Sequence, residues 1–370
     1  MATKRKPSRT QTKPAARKSA AARKPAGAAL KTSAAKAAAG RKPAHRESHK
    51  TASGGNRGLV FFGAIAVLVV AMAVVAKLRQ GPPVKLLPAE VLGTYTAADN
   101  AAGALSSPRG IAVTREGEVV VADLGNHRIV AFAPDGSVAD TWGRKGTAAG
   151  EFNEPSGVAV DSRGDFYVAD TWNGRIQKFS PRGEYFGEIT SKTGNFYSPR
   201  NVAVDSHGFV YVADTGNSCV KKFDTDANLV KRWGEYGSGH DRFQETFGLA
   251  VDAAGQVYVG DAGNRRIKIY TSDGKFLRDL RVKGWQSGVG WPMLALDAQG
   301  RVYATDVQHN MVWIYSREGK YLGSFGNQPG KELFSSPLGI AIGPDGSVYV
   351  SNMNRGEILK LKGLAPEPPK

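Results

Sequence analysis

Six residues of this 370-residue chain have side chains suited to ligand recognition. Two are arginines, which bind carboxylates and phosphates through a planar fork of N–H groups, and one is a tryptophan, which supplies apolar contact area. If the fold gathers the six on one surface, we expect it to bind a protein segment or a small ligand. Trp172 would then be the apolar anchor, and Arg109 and Arg200 the anion contacts. The six residues are Arg109, Trp172, Arg200, Phe247, Met293 and His309.

The chain carries no motif typical of catalysis or metal binding. It has no Gly-x-Ser-x-Gly elbow, no phosphate-binding loop and no His-Glu-x-x-His helix motif. The single cysteine, Cys219, excludes an intramolecular disulfide. We therefore predict no cofactor, no metal and no catalytic residue, with an enzyme assembled from several loops as the alternative. The histidines beyond residue 57 are scattered singly, at His127, His207, His240 and His309.

The elements that must position these residues form an internal repeat. Six phrases of the type VYVADTGN align without gaps, and their shared acidic or amide position recurs every 44 to 47 residues. A period in the mid-forties with several short alternating apolar runs per unit is typical of propeller blades. Helical solenoids would instead show apolar residues at a spacing of 3.6. The shared position falls at Asp123, Asp170, Asp214, Asp261, Asp306 and Asn352.

Each unit is predicted to contain four strands, beginning with a glycine-led apolar strand nearest the axis. The sixth unit ends after its third strand, and residues 91–95 have the pattern of an outer strand. We therefore predict that residues 91–95 complete the sixth blade, which leaves no open edge in the ring. The propeller is assigned to residues 90–364 and a short tail to residues 365–370. The recurring Asp and Asn are expected to cap turns, and the recurring Arg to pair with a carboxylate or carbonyl.

The six phrases resemble NHL repeats through the run from the Ala-Asp of the second strand to Asn-x-Arg-Ile. This resemblance implies an all-β fold, a six-bladed β-propeller. Members of the family include interaction or sensor propellers, RNA-binding propellers and a few lyases. Residues 58–370 carry a net charge of only +2 (34 basic, 32 acidic), so RNA binding by the propeller is not expected. The lyases hold zinc through histidines before the innermost strands, where this chain has Arg109, Ser156, Arg200, Phe247, Met293 and Leu338.

Residues before the innermost strands and after the repeat Asp should face the same end of the ring. Trp172 stands where sister units have Gly125, Gly216 and Gly263. An exposed tryptophan at a glycine position favours a binding role. The alternative is that Trp172 folds over its own blade.

The N-terminal 76 residues predict a membrane anchor. Residues 1–57 contain 16 Lys/Arg and one acid, a net charge of +15, with a single leucine and no aromatic residue, so they should be a disordered basic tail. We expect this tail to be a solvated orientation signal and spacer for the anchor. The alternative is a polyanion binder, with anionic lipid ahead of nucleic acid as its partner. Residues 58–76 are nineteen uncharged, mostly apolar residues, long enough for a transmembrane signal-anchor helix, and residues 77–89 read as a linker.

The charge distribution predicts how this anchor is oriented. The positive-inside rule places the tail in the cytoplasm and the propeller in the periplasm or outside the cell, most simply at a bacterial inner membrane. The sequence thus predicts a membrane-anchored binding or scaffold module. The alternative is a periplasmic lyase or hydrolase whose site lies in the central pocket.

Overall fold

The computed structural model describes residues 84–97, 103–190, 196–285 and 290–366. These residues form six four-stranded antiparallel sheets, the blades of an all-β six-bladed propeller. Within them, no helix is long and apolar enough to cross a bilayer. The predicted tail at 1–57, the anchor at 58–76, the first part of the linker and residues 367–370 lie outside the described residues.

The strands follow the predicted order in every blade. The first strand of the chain is β1 (Val91–Tyr95). Blade 1 is β2 (Pro108–Val113), β3 (Val119–Asp123), β4 (Arg128–Phe132) and β5 (Val138–Trp142). Blade 2 is β6 (Pro155–Val160), β7 (Phe166–Asp170), β8 (Arg175–Phe179) and β9 (Tyr185–Ile189). Blade 3 is β10 (Pro199–Val204), β11 (Val210–Asp214), β12 (Cys219–Phe223) and β13 (Leu229–Trp233).

Two short strands, β14 (Glu235–Tyr236) and β15 (Arg242–Phe243), pair in parallel between blades 3 and 4. Blade 4 is β16 (Thr246–Val251), β17 (Val257–Asp261), β18 (Arg266–Tyr270) and β19 (Phe276–Arg281). Blade 5 is β20 (Leu294–Leu296), β21 (Val302–Asp306), β22 (Met311–Tyr315) and β23 (Tyr321–Gly326). Blade 6 takes β24 (Pro337–Ile342), β25 (Val348–Asn352) and β26 (Glu357–Leu361). Short 3-10 turns follow the second strands at Leu124–Asn126, Thr171–Asn173, Thr215–Asn217, Ala262–Asn264 and Met353–Arg355.

The ring is closed by the first strand of the chain, as the sequence predicted. Strand β1 pairs antiparallel with β26, so blade 6 combines residues from both ends of the propeller. The Tyr95 side chain is only 3% exposed and packs edge-on against Phe132 of blade 1 and Tyr349 of blade 6. Its hydroxyl donates to the Pro134 carbonyl at 3.1 Å. Tyr95 therefore joins the first and last blades.

The segment before β1 also contacts the propeller. The amide of Leu87 donates to the Ser324 carbonyl of β23, and the Ser324 amide donates to the Lys85 carbonyl, each at 2.9 Å. The Leu87 side chain packs against the core cluster shared by blades 5 and 6. Residues 85–87, which the sequence assigned to the linker, thus pair along the outer edge of blade 5.

The apolar core of the described propeller lies between blades. Six hydrophobic clusters are present, and each combines residues of two neighbouring blades. The aromatic residues that end outer strands belong to these clusters. For example, Trp142 of β5 lies 5.9 Å from the Phe166 ring and 6.3 Å from the Phe179 ring of blade 2. Burial of these faces stabilises the ring at about 25 cal/mol per Å² of apolar surface.

Glycines in the innermost strands let neighbouring blades approach closely. A Cβ on Gly339 of β24 would overlap the carbonyl oxygen of Arg109 in β2, and one on Gly110 would lie 2.6 Å from the Ser156 carbonyl oxygen of β6. Backbone is the obstacle in both cases, so a side chain could not be accommodated by a rotamer change. The recurring glycine of the innermost strand is therefore required by the narrow axis of the ring.

The recurring aspartate anchors the segment that enters its own blade. Asp123 accepts a hydrogen bond from the Ser106 amide at 2.7 Å, from the Asn126 side chain at 2.8 Å and from the Arg128 Nε at 2.7 Å. The prediction that Asp and Asn cap the turn is wrong for the five blades with a 3-10 turn, because none of these turns has a side-chain cap. The carboxylate instead fixes the connection before the innermost strand. The prediction is confirmed in blade 5, where Asp306 accepts from the Gln308 and His309 amides. The predicted pairing of the recurring Arg is confirmed.

Blades that depart from the repeat replace this ion pair. In blade 3, where Cys219 stands in place of arginine, the Lys221 Nζ pairs with Asp214 at 2.7 Å. In blade 6 the aspartate becomes Asn352 and the arginine becomes Glu357, and the Asn352 amide donates to the Glu357 carboxylate at 2.6 Å. Both substitutions keep the buried position hydrogen-bonded, which explains why they are tolerated.

Candidate functional site

The mouth is the axial opening at the end of the ring where chain segments enter the innermost strands. Its geometry is fixed by the aspartate network described above. In blade 2 the Asp170 carboxylate accepts from the Asn153 amide at 2.7 Å, and the Trp172 amide donates to the Asn153 carbonyl at 3.1 Å. These bonds hold the 3-10 turn that carries Trp172 against the segment that carries Glu154. Both side chains are thereby directed to the mouth.

Arg109 lies in the wall of the mouth and is 5% exposed. Its guanidinium lies over the Trp291 ring, 4.1 Å from the centroid. Its one hydrogen bond among the described residues is a long one, from Nη1 to the Ser156 hydroxyl at 3.5 Å, and its Nε is buried with no partner. Burial and then the nearby Arg200 lower the pKa of Arg109 to about 10, against a smaller opposite effect of Glu154.

Arg200 lies between two tryptophans. Its guanidinium is 5.3 Å from the Trp172 ring centroid and 5.9 Å from that of Trp291. The Arg200 Nε is also buried without a hydrogen-bond partner in the described structure. Burial lowers the pKa of Arg200, and Glu154 opposes that effect. The two guanidinium groups therefore both lie over the Trp291 ring. Neither forms an ion pair within 4 Å among the described residues.

Trp172 is half exposed and reaches toward the next blade. Its indole Nε1 donates to the Glu154 carboxylate at 2.7 Å, and 51% of its surface is accessible. The contact with Arg200 joins blade 2 to blade 3. Trp172 therefore contacts its own blade through Glu154 and blade 3 through Arg200. It forms one side of the mouth.

The floor of the mouth is apolar and closed. Met293 is 3% exposed and Phe247 is 5% exposed, and the Phe247 ring lies 6.4 Å from that of Trp291. The Asn201 amide contacts the Met293 sulfur at 3.2 Å. Asn201 belongs to blade 3 and Met293 to the entry of blade 5, which are not neighbours, so Met293 lies within the axial opening. Met293 therefore closes the axis of the ring below the mouth.

Of the six residues predicted from the sequence, five come together here. The sixth, His309, is directed elsewhere: its Nδ1 lies 2.8 Å from the Asp306 carboxylate at the end of the second strand of blade 5. None of the contacts in the described structure joins His309 to the two arginines. The network of its own blade accounts for this histidine.

Two residues of the mouth, Trp291 and Glu154, were missed by the sequence analysis. Both occupy the position two residues before Arg109 and its equivalents. In the other five units the residue at this position has a left-handed backbone conformation. Trp291 does not, so it departs from the repeat in conformation as well as in residue type. A comparison of this position across the units would have found both residues. Its occupants are Ser107, Glu154, Ser198, Glu245, Trp291 and Ser336.

At the opposite end of the ring, two aspartates that line the surface are already hydrogen-bonded to neighbouring groups. A depression of about 380 Å³ is lined there by the turns between the first and second strands of blades 1 to 3. Its carboxylates are engaged locally: Asp161 accepts from the Arg163 and Asp165 amides, and Asp205 accepts from the Phe209 amide at 3.0 Å. Across the described ranges, no group of three or more His, Cys, Asp and Glu residues is placed to hold a metal ion. The mouth therefore holds the polar atoms best placed to meet a ligand.

The NHL repeat family matches the chain at residues 105–132, 152–179 and 196–223. The described structure is a six-bladed propeller, and the NHL repeat matches parts of three of its blades. No curated protein sequence matches the chain.

Similar solved structures include a gluconolactonase from Xanthomonas campestris, with a TM-score of 0.56 and 16% identity over 76% of this chain and 98% of that one. Virginiamycin B lyase from Staphylococcus aureus has a TM-score of 0.54 and 12% identity over 75% of this chain and 100% of that one. A streptogramin B lyase has a TM-score of 0.52 and 15% identity over 70% and 93% of the two chains. At these identities the likeness concerns the fold alone.

Proposed function

We propose that the chain is a binding module whose mouth captures an anionic group of a protein segment or small ligand. The observation that carries this proposal is a pair of arginines, one buried and one half-buried, without a salt-bridge partner among the described residues. Structural arginines of this propeller, such as Arg175, are paired with carboxylates. Arg109 and Arg200 are stacked on tryptophans instead, with buried Nε atoms that lack a partner in the described structure. An anion bound beside them would offset the free-energy cost of burying their positive charge.

The binding module is anchored in a membrane by residues 58–76. The length and apolar character of this segment support a single crossing, and the +15 charge of residues 1–57 supports a cytoplasmic N-terminus. The propeller is then on the non-cytoplasmic side, where it acts as a receptor or scaffold. The basic tail contacts anionic lipid at the inner surface, with nucleic acid as the alternative partner.

A second candidate is a lyase or hydrolase with its site in the same pocket. The specific observation in its favour is Glu245, whose Oε2 is buried with no partner in the described structure. Glu245 stands at the position in blade 4 that Glu154 occupies in blade 2, so a carboxylate near the mouth is available as a general base. The fold is also shared with proteins named as lyases and a gluconolactonase. Recovery of bound ligand in chemically unchanged form would favour the binding module.

Anion binding should stabilise the wild-type protein through the two mouth arginines. In the full-length protein we expect 100 mM potassium acetate to raise the melting temperature by about 3 °C relative to potassium chloride at equal ionic strength, if acetate binds with a millimolar dissociation constant. The Arg109→Gln/Arg200→Gln variant should lose this difference. Arg182→Gln, which changes an exposed arginine at the opposite end of the ring, is the control and should keep it. An equal response of all three proteins would contradict the proposed function.

A further inference from the structure

The charge balance of the mouth constrains the anion. Two guanidinium groups are present, and Glu154 acts electrostatically on both of them. The Glu154 carboxylate is also held by the Trp172 indole, so it is a fixed part of the site. The sum of these three groups is one positive charge, and the Glu245 carboxylate of blade 4 is not among the groups that act on either arginine. A carboxylate with one negative charge would neutralise it, whereas a phosphate monoester, with about −1.5 to −2 charges at pH 7, would add repulsion with Glu154.

The hydrogen-bonding geometry also suits a carboxylate. The Arg109 guanidinium lies over the Trp291 ring, and among the described residues its N–H groups make only one long hydrogen bond, to the Ser156 hydroxyl at 3.5 Å. The Nε of each mouth arginine is buried without a partner, and Nε together with one Nη atom forms the edge that binds a carboxylate through two parallel hydrogen bonds. Desolvation of that edge has already occurred in the unliganded protein. Less of the binding free energy is therefore spent on removing water.

The shape of the mouth determines which part of a ligand can enter. Met293 lies in the axial opening and contacts Asn201, so a chain cannot pass through the ring at this level. Phe247 and Trp291 form an apolar surface beside the guanidinium groups. Apolar side chains beside two cations suit the end of a molecule whose terminal carboxylate adjoins an apolar group.

We propose that the ligand is a monocarboxylate that bears an aromatic or apolar group, bound with its carboxylate on Arg109 and Arg200 and its apolar group against Phe247 and Trp291. Both a small organic acid and the C-terminal residue of a peptide have this chemistry. The inference rests on the proposed function and adds the ligand class to it. It excludes a phosphate and a neutral group as the preferred partner.

The test uses three aromatic probes that present a carboxylate, a neutral amide or a phosphate to the arginines, and the first two differ only in that group. They are N-acetyl-L-phenylalanine, its amide and phenyl phosphate, titrated into full-length protein labelled with 5-fluorotryptophan. The chain has six tryptophans, so the ¹⁹F signals of Trp172 and Trp291 can be assigned by single Trp→Phe replacements. We expect both signals to shift with the carboxylate, with an affinity about tenfold or more above that of the amide. Phenyl phosphate should bind at least about threefold more weakly than the carboxylate.

Variants separate the ligand class from the proposed function. Arg200→Gln should weaken carboxylate binding about tenfold or more, and Arg182→Gln should leave it unchanged. Tighter binding of phenyl phosphate that is lost in Arg200→Gln would overturn the carboxylate assignment and keep the anion-binding function. Equal binding of acid and amide, unaffected by Arg200→Gln, would overturn both.

If none of the probes shifts either signal, the ligand class is wrong, and the acetate experiment decides the function. A peptide ending in phenylalanine that binds more tightly than the single amino acid would identify a protein C-terminus as the source.

Discussion

Replacing Tyr95 by alanine should lower the free energy of unfolding by about 3–5 kcal/mol, the range for truncating a large buried aromatic side chain. Tyr95 is 3% exposed, contacts aromatic rings of the first and last blades, and donates to the Pro134 carbonyl. Its loss would leave a cavity where the first and last blades meet. Equilibrium denaturation of the full-length protein, followed by tryptophan fluorescence, measures this change.

A matched variant in the same strand separates ring closure from local strand propensity. Leu92 lies three residues earlier in β1, is 47% exposed, and belongs to none of the six clusters in the described propeller. Leu92→Ala should change the free energy of unfolding by less than about 0.5 kcal/mol. If Tyr95→Ala proves as mild as Leu92→Ala, the first strand does not hold the ring closed.

The second large effect is that replacing two arginines of similar burial by methionine should change the free energy of unfolding in opposite directions. Arg175 is 8% exposed and is paired with Asp170 at 2.8 Å and with Glu188 at 2.9 Å. Arg175→Met leaves the buried Asp170 carboxylate without its counter-charge, so we expect a loss of about 3–5 kcal/mol in the free energy of unfolding. Arg109 is 5% exposed and has no such partner.

Arg109→Met should stabilise the unliganded protein by about 1 kcal/mol. The pKa of Arg109 is lowered to about 10 by burial and by Arg200, which means that the folded state disfavours its charged form. Methionine removes that charge and keeps an apolar contact with Trp291. A gain in stability together with a loss of anion binding is the pattern expected of a functional residue, and it would be measured by denaturation and by the acetate response. If Arg109→Met destabilises the protein as strongly as Arg175→Met, Arg109 is structural.

The fold could be predicted from the sequence because each blade repeats the same pattern of strands and turns. The regular spacing from Asp123 to Asn352 and the outer-strand pattern of residues 91–95 were sufficient for the blade number and the closure. The pairing of residues 85–87 with blade 5 could not be predicted, since three residues give no periodic signal. The role of the aspartate was also misjudged, because its main partner is the backbone of a segment seventeen residues earlier.

The site was predicted in part for the same reason. Residues that break the repeat at the mouth, such as Arg200 and Trp172, could be found by aligning units, and the structure brings them together. His309 also breaks the repeat but compensates for the missing arginine of its blade by contacting Asp306. A residue that departs from the repeat to contact a ligand cannot be distinguished, from sequence alone, from one that departs from it to preserve a structural contact. The stacking of Arg109 on Trp291 depends on two blades that are far apart in the chain, so it required the structure.

The most direct test of the mouth as a binding site is photocrosslinking in intact cells from a probe at position 172. The matched control probe replaces Asp135, an exposed residue in a turn at the opposite end of the blades. We predict a discrete adduct at 172, either a small molecule or a protein segment, none at 135, and loss of the 172 adduct when Arg200→Gln is added. Equal labelling at both positions, or an adduct at 172 that survives Arg200→Gln, would contradict binding at the mouth.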